Sequence, residues 1–215
     1  MTELLRAALR RRAILATASG SAALLLSGRA VLAAVPTPRQ TEGPFYPPEL
    51  PAETDSDLVR VTGADARALG QVAHVVGRVL DRQGRPLPGA MVEIWQCDAN
   101  GRYLHPGDPG AGHRDPGFQG FGRVVTDLGG GYRFRTIRPV AYPGRAPHIH
   151  VKVWRGGAEL LTTQMYVAGE PLNARDGLYR RLDPDERARV TVALSPAPGI
   201  EADALAGTFE IVTPA

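Results

Sequence analysis

The stretch Ala141–Trp154, AYPGRAPHIHVKVW, gathers a tyrosine, an arginine and two histidines in one short run. Side chains of a β-strand point alternately to its two faces, so His148 and His150 share one face while the apolar residues between and after them share the other. Tyr142 precedes His148 by six residues, and the prolines and glycine between them favour a turn that brings the phenol back towards the imidazoles. The sequence therefore predicts a strand with one packed face and one binding face.

Short alternating segments broken by turn residues surround this strand from residue 74 onwards. HVVGRVLD and MVEIWQCD flank the turn sequence RQGRPLPGA, and GYRFRTI, LLTTQMYV, VTVALS and TFEIVT follow as further strands. A brief charged segment, Asp183–Arg189, has a helical pattern. We therefore expect an all-β catalytic domain over residues 71–215, an antiparallel β-sandwich with short helical insertions.

The first 33 residues have the basic, apolar and small-residue zones of an export signal. The pair Arg11–Arg12 before the apolar run resembles a twin-arginine signal, which directs folded proteins across the membrane. A general secretory signal or an uncleaved amphipathic anchor are the alternatives. We expect a periplasmic or other extracytoplasmic protein without a stable membrane anchor, because the apolar run is shorter than the roughly 20 residues that span a bilayer.

Residues 34–70 are rich in proline and acidic residues and are expected to run extended over the domain. Phe45 and Tyr46 are the expected anchors of this segment.

The formal charge of +3 comes from the N-terminal region. Five of the 25 basic residues and one of the 22 acidic residues lie in the first 33 positions, so the remainder carries 20 basic against 21 acidic residues, a net charge of −1. No cluster of Lys and Arg stands out in that remainder, which argues against nucleic acid as a partner.

Four residues form the candidate ligand set: Tyr103, Tyr142, His148 and His150. Phenolate is a hard anionic oxygen donor suited to a trivalent cation, and imidazole suits several transition metals, so this set favours Fe(III) over zinc or copper. A site for a soft metal would need thiolates, and Cys97 is the single cysteine of the chain.

The remaining histidines match no ligand position and are expected to be solvated or loop residues; they are His74, His105 and His113. Cys97 lies within the run VEIWQC and is expected to be a small buried hydrophobic residue.

Three runs together resemble the intradiol ring-cleavage dioxygenases, with the protocatechuate branch of the family nearest. They are GRVLDRQGRPLPGAMVEIWQCDANGRYLH, FGRVVTDLGGGYRFRTIRPVAYPGRAPHIHVKV and TTQMY, and the resemblance extends from about Thr41 to the end of the chain.

The resemblance implies a β-sandwich that holds non-haem Fe(III) through Tyr103, Tyr142, His148 and His150. It also implies that Arg145 and Gln164 contact the substrate and that Tyr142 leaves the metal when substrate arrives. The implied reaction is intradiol cleavage of a catechol-type aromatic diol by O₂ to a cis,cis-muconate-type diacid.

Two other functions stay open at the level of sequence. GRVLDRQGRPLPGAMVEIW also resembles a transthyretin-like or carboxypeptidase-regulatory-like binding module, which has no catalytic metal. A dioxygenase that turns over poorly is the other, because only Pro143 and Gly144 separate Tyr142 from Arg145. The sequence leaves open which diol is cleaved and whether the chain assembles with copies of itself or with a different subunit.

Overall fold

The computed structural model describes residues 33–110 and 112–214, so the predicted export signal, apart from its last residue, lies outside the described residues. The strands of the described part are β1 Val72–Leu80, β2 Met91–Trp95, β3 Phe121–Val125, β4 Gly131–Ile137, β5 His148–Arg155, β6 Ala158–Val167, β7 Thr191–Val192, β8 Ser195–Pro196, β9 Leu205–Thr208 and β10 Ile211–Val212. Two short 3-10 helices, Pro171–Arg175 and Tyr179–Arg181, precede the helix α1, Pro184–Val190.

The strands form two sheets, as the predicted β-sandwich requires. In the first sheet β4 and β9 flank β1, β10 continues along the same edge as β9, and β8 pairs with β9. The second sheet has the order β3-β2-β5-β6-β7. Both sheets are mixed rather than purely antiparallel, because β1 pairs in parallel with β9 and β10 and β6 pairs in parallel with β7. Parallel pairs need long crossover connections, which local alternation does not reveal.

The main core lies between the sheets and fixes the faces of β5. Ile149, Val151 and Val153 are buried in it together with Val75 and Phe134 of the first sheet. Because a slip of one residue would turn this apolar face to solvent, the packing sets the register of β5. The histidines consequently project from the outer face of the second sheet, as the alternation predicts.

An N-terminal strap, residues 34–46, joins the two sheets. Its Thr37 N donates to Val212 O of β10 at 3.0 Å, and its Gln40 N donates to Thr162 O of β6 at 2.9 Å. The strap thus begins beside the first sheet and reaches the second.

The end of the strap is anchored on the outer face of the second sheet by a buried lysine. The Nζ of Lys152 forms an ion pair with Glu42 and lies 3.8 Å from the centroid of the Tyr46 ring. Next to it the buried carboxylate of Glu93 accepts hydrogen bonds from Tyr46 Oη at 2.9 Å and Trp154 Nε1 at 2.7 Å. Tyr46 is therefore an anchor of the segment, as predicted.

The prediction for His74 is wrong. Its side chain is buried on β1, and its Nε2 lies 3.1 Å from a carboxylate oxygen of Glu201, which also pairs with Arg135 at 2.7 Å. A histidine in a strand can be buried when a charged network supplies its partner, and that partner comes from a remote loop. His105 and His113 do lie in the loop between β2 and β3, half-buried and exposed respectively.

The short helix predicted over Asp183–Arg189 is confirmed as α1. Asp183 caps its first turn, where its side chain accepts from Glu186 N at 2.7 Å and the Glu186 side chain accepts in return from Asp183 N. Within residues 33–110 and 112–214, no helix is both long and apolar enough to cross a membrane.

Candidate metal centre

The two histidines of β5 meet on the outer face of the second sheet. His148 Nε2 lies 3.1 Å from His150 Nε2, and both rings are buried. The His150 ring stacks on Trp95 of the neighbouring strand, with centroids 4.8 Å apart and planes 9° from parallel. The sheet and its aromatic neighbour therefore hold these rings in place.

The protonation state of both rings suits metal binding. Burial lowers the pKa of His148 to about 4, and burial together with the neighbouring His148 lowers the pKa of His150 well below its ordinary value. His148 Nδ1 donates to Ala146 O at 2.7 Å, so the lone pair of this ring is on Nε2. A neutral imidazole with its second nitrogen fixed by a carbonyl is the usual metal-ligating form.

Tyr103 reaches the histidines from the loop after β2. Asp98 begins the turn that precedes it, because its carboxylate accepts from the backbone N of Asn100 and Arg102 at 2.8 and 2.9 Å. Asp108 then accepts from Tyr103 N at 2.7 Å. The phenol ring lies edge-on to His150, with ring centroids 6.0 Å apart. This local turn chemistry explains why a tyrosine far from β5 in sequence faces its histidines.

Tyr142 reaches the histidines through the tight turn before β5. Arg145 N donates to Tyr142 O at 2.9 Å, and Gly144 adopts a φ of +81°, which a residue with a side chain rarely does. The Tyr142 ring lies 5.6 Å from the His148 ring and 5.5 Å from the Tyr103 ring, between centroids. All four predicted ligand residues are thus brought together.

The donor set fits a metal ion. Two imidazole nitrogens bound at about 2.1 Å to one metal, at a right angle, would lie about 3 Å apart, close to the 3.1 Å between the Nε2 atoms of His148 and His150. The Tyr103 hydroxyl is buried without a hydrogen-bond partner among the described residues. A cation would satisfy this oxygen and both nitrogens at once.

The phenols need such a cation in order to ionise. Burial, followed by the adjacent Tyr142, raises the pKa of Tyr103 well above its ordinary value. Burial also raises the pKa of Tyr142, although the positive charge of Arg145 opposes that rise. In the described residues no group of three or more His, Cys, Asp and Glu side chains could hold a metal, so the mixed tyrosine and histidine set is the candidate centre.

Arg145 and Gln164, which the resemblance places in contact with substrate, lie at the edge of the donor set. Arg145 Nη1 donates to Tyr142 Oη at 3.2 Å, and Nη2 donates to Gln164 Oε1 at 2.5 Å. Nη2 also lies 3.4 Å from Tyr166 Oη, and Nε donates to the buried carboxylate of Asp176 at 2.8 Å. The guanidinium therefore sits in a frame of four side chains with its positive charge beside Tyr142.

Sequence reasoning missed two members of this frame. Tyr166 had a signal, since it lies two residues after Gln164 on β6 and so points to the same face. Asp176 had none, because it follows a 3-10 helix in an irregular connection without periodicity.

The strap covers part of the candidate metal centre. The Phe45 ring stacks on Tyr103 with centroids 4.7 Å apart, so Phe45 is an anchor as predicted. At Gly43 a Cβ would lie 3.3 Å from His150 Cε1, and the φ of +76° there already favours glycine. The backbone can therefore approach the imidazole closely. Behind the centre Cys97 is buried beside Trp95, which confirms its predicted role as a small buried residue.

Comparison with known proteins gives the class of this fold and site. The sequence model of the dioxygenase family matches residues 41–212. The chain belongs to the intradiol ring-cleavage dioxygenases, as its resemblance implies.

Individual relatives are enzymes of that family. The chain is 38% identical over 183 residues to the protocatechuate 3,4-dioxygenase beta chain of Burkholderia cepacia, covering 81% of this chain and 77% of that one. It is 32% identical over 157 residues to catechol 1,2-dioxygenase of Candida albicans, covering 64% of this chain but only 49% of that enzyme.

A solved structure extends the agreement to the fold. The dioxygenase domain of a dioxygenase carbohydrate-binding protein fusion from Streptomyces sp. SirexAA-E superposes with a TM-score of 0.63 at 34% identity, covering 84% of this chain and 99% of that domain. These matches favour the enzyme over the transthyretin-like binding module.

Proposed function

We propose that the protein binds non-haem Fe(III) through Tyr103, Tyr142, His148 and His150 and cleaves a catechol-type diol with O₂ between its two hydroxyl-bearing carbons. The product is a cis,cis-muconate-type diacid. One observation carries the proposal: two buried neutral imidazoles, 3.1 Å apart at Nε2, meet a buried phenol that lacks any partner among the described residues.

The choice of Fe(III) rests on the chemistry of the donors. Two phenolates supply the negative charge that a trivalent ion needs, and neutral imidazoles complete the set. When bound, Fe(III) would supply Lewis acidity, which lowers the pKa values of the hydroxyl groups of the diol.

The two tyrosines have different environments and therefore different roles. Tyr103 is buried beneath Phe45, and the cation would be the partner of its hydroxyl, so it stays in place. Tyr142 is half-buried, and its Oη already faces a guanidinium nitrogen of Arg145. We assign to Tyr142 Oη the acceptance of one diol proton.

Arg145 holds a fixed positive charge that stabilises the negative charge developing on the diol and on O₂. Burial by itself would lower its pKa, but Tyr142, Asp176 and Tyr166 raise it, so the group stays charged at every working pH. Gln164, held against Arg145 Nη2, orients the substrate. A preorganised donor in a water-poor site is worth more than in water.

Metal content and colour test the iron assignment. The purified protein should contain iron and show a phenolate-to-Fe(III) charge-transfer band that Tyr103→Phe and Tyr142→Phe weaken or shift. Tyr132→Phe is the matched control, because that buried phenol donates to Phe209 O in the first sheet. A colourless protein that binds zinc in iron-replete cells would refute the iron proposal.

Product analysis tests the reaction. With ¹⁸O₂ and a panel of catechols, a muconate-type diacid that carries oxygen from O₂ is expected, and Arg145→Ala should lower kcat by on the order of 10² to 10³ while iron and colour remain. Ring opening beside the diol would exclude the intradiol reaction. An iron-loaded protein that takes up little oxygen with every catechol would instead favour the poorly active dioxygenase.

We also propose export, on the zones of the first 33 residues. Replacing Arg11 and Arg12 by Lys preserves charge but removes the guanidinium pair, so a twin-arginine substrate should stay in the cytoplasm. Unchanged export would favour the general secretory route.

Assembly is a further proposal, since the Burkholderia cepacia relative is named a beta chain. Light scattering of the active protein distinguishes a homo-oligomer from a monomer. Activity that appears only when a second polypeptide is added would indicate a hetero-oligomer.

A further inference from the structure

Asp176 is a buried carboxylate whose hydrogen bonds converge on the turn that carries Arg145. Its side chain has 0% exposure. Oδ2 accepts from Arg145 Nε at 2.8 Å and from Ala146 N at 2.9 Å, while Oδ1 accepts from Leu178 N at 2.9 Å and Tyr179 N at 3.1 Å. One oxygen is thus committed to the arginine turn and the other to its own loop.

The loop itself is tied to the second sheet. Asp176 ends the 3-10 helix Pro171–Arg175, and its backbone N donates to Leu172 O at 3.0 Å. Asn173, buried in the same helix, donates from Nδ2 to Val167 O of β6 at 2.8 Å. The carboxylate therefore has a fixed position relative to the strand that also carries Gln164.

This placement constrains the guanidinium in two ways. The bond to Ala146 N fixes the backbone immediately after Arg145, and the bond to Arg145 Nε fixes the plane of the fork. With the plane fixed, Nη1 faces Tyr142 Oη and Nη2 faces Gln164. An arginine side chain has several rotatable bonds, so a guanidinium group held only at its Nη atoms would sample more than one orientation.

We propose that Asp176 is the positioning residue of Arg145: it orients the guanidinium towards Tyr142 and the bound diol without touching substrate itself. The inference rests on the proposed function for its kinetic consequences, whereas the orientation of the arginine can be tested without iron or substrate.

The kinetic test uses Asp176→Asn, which keeps the size of the side chain. The amide nitrogen cannot accept a hydrogen bond, so either the two donors of the arginine turn or the two donors of the loop lose their acceptor. Loss of a supporting contact of this kind typically costs about 10- to 100-fold, so kcat should fall by that factor with a smaller change in KM and an unchanged charge-transfer band. Asn173→Ala is the matched control, since it removes one tie of the same loop to β6 but leaves all four hydrogen bonds of the Asp176 carboxylate in place, so kcat should fall much less than in Asp176→Asn.

A double variant separates positioning from general structural damage. If Asp176 acts through the guanidinium, Asp176→Asn should have little further effect on kcat in an Arg145→Ala background. Equal fractional losses in the two backgrounds, or a loss in Asn173→Ala as large as in Asp176→Asn, would overturn the proposal.

The iron-free protein provides an independent readout. By ¹⁵N NMR, Arg145 Nε–H in the unsubstituted protein should exchange slowly with water, and Asp176→Asn should accelerate that exchange much more than Asn173→Ala does. Rapid exchange in the unsubstituted protein would refute the positioning role even if Asp176→Asn fails to fold. Asp176→Ser, which retains a loop-capping oxygen, is the second variant. If ring cleavage fails but the NMR result holds, the proposed function falls and the positioning role stands.

Discussion

Replacing Lys152 by Met should destabilise the protein far more than the loss of an exposed ion pair between strap and sheet ordinarily does. Lys152 is 3% exposed, and it pairs with Glu42 while its ammonium faces the Tyr46 ring at 3.8 Å. Methionine fills a similar volume but removes the charge, and the buried Glu93 beside it then loses its cationic neighbour. Because the substitution keeps the packing, its effect reports on the charge.

The size of the loss follows from the exposure of the partners. Breaking a buried pair from one side costs about 3 to 5 kcal/mol. Glu42 is 43% exposed and regains water, which places the expected loss at the lower end. We expect the free energy of unfolding to fall by about 3 kcal/mol, or Tm by about 6 to 12 °C for a domain of this size.

Urea denaturation of the iron-free protein, followed by tryptophan fluorescence, measures this loss because the Lys152 ammonium lies 5.8 and 5.2 Å from the rings of Trp95 and Trp154. Arg39→Met is the matched control, since it breaks a strap-to-sheet pair with Glu159 in which the arginine is 53% exposed. That pair should contribute less than about 1 kcal/mol. Equal losses in the two variants would refute the assignment of the buried lysine as the anchor of the strap.

Two further predictions concern the first sheet. Gly77→Ala should lower the free energy of unfolding by more than about 3 kcal/mol or prevent folding, because the added Cβ would lie 1.9 Å from Phe209 O. Gly199→Ala is the control: nothing lies within 4 Å of the added Cβ, so calorimetry should find it nearly neutral. Equal stability of the two variants would contradict the close approach of Gly77 to Phe209. The hydrogen-bonded Arg135 guanidinium lowers the pKa of Glu201 from 4.5 to about 2. Because the pKa of Glu201 is depressed in the folded state, its contribution to stability is complete above about pH 4.5 and is lost as pH falls towards 2. Glu201→Gln should therefore lower the free energy of unfolding by about 1 kcal/mol at pH 7 and by much less at pH 2.5. A loss of stability that does not change with pH would exclude a role for the charge.

The sequence predicts those features that depend on local periodicity. Alternation along β5 correctly separates the histidine face from the core face, since a strand that packs on one side must repeat every two residues. Turn residues around Asp98 and Gly144 likewise account for the placement of Tyr103 and Tyr142.

Features that depend on remote partners could not be predicted in this way. Asp176 lies 31 residues from Arg145, and Glu42 lies 110 residues from Lys152. His74 was misassigned for the same reason, because a lone histidine in a strand gives no sign of its carboxylate 127 residues away. The parallel pairing of β1 with β9 and β10 also joins distant segments, which no short window of sequence encodes.

The strap has a consequence for the order in which the protein is completed during synthesis. Thr37 Oγ1 accepts from Val212 N, a contact between residues 175 positions apart, so one of the earliest described segments to leave the ribosome finds this partner only near the end of translation. Until then the start of the strap lacks this partner, although Glu42 and Tyr46 can already contact Lys152 and Glu93 on the second sheet. A nascent chain that stops before β10 would contain every proposed ligand of the metal and still lack this contact between the strap and the last strand of the first sheet. Attachment of the start of the strap to β10 is therefore a late event with a long search between chain segments.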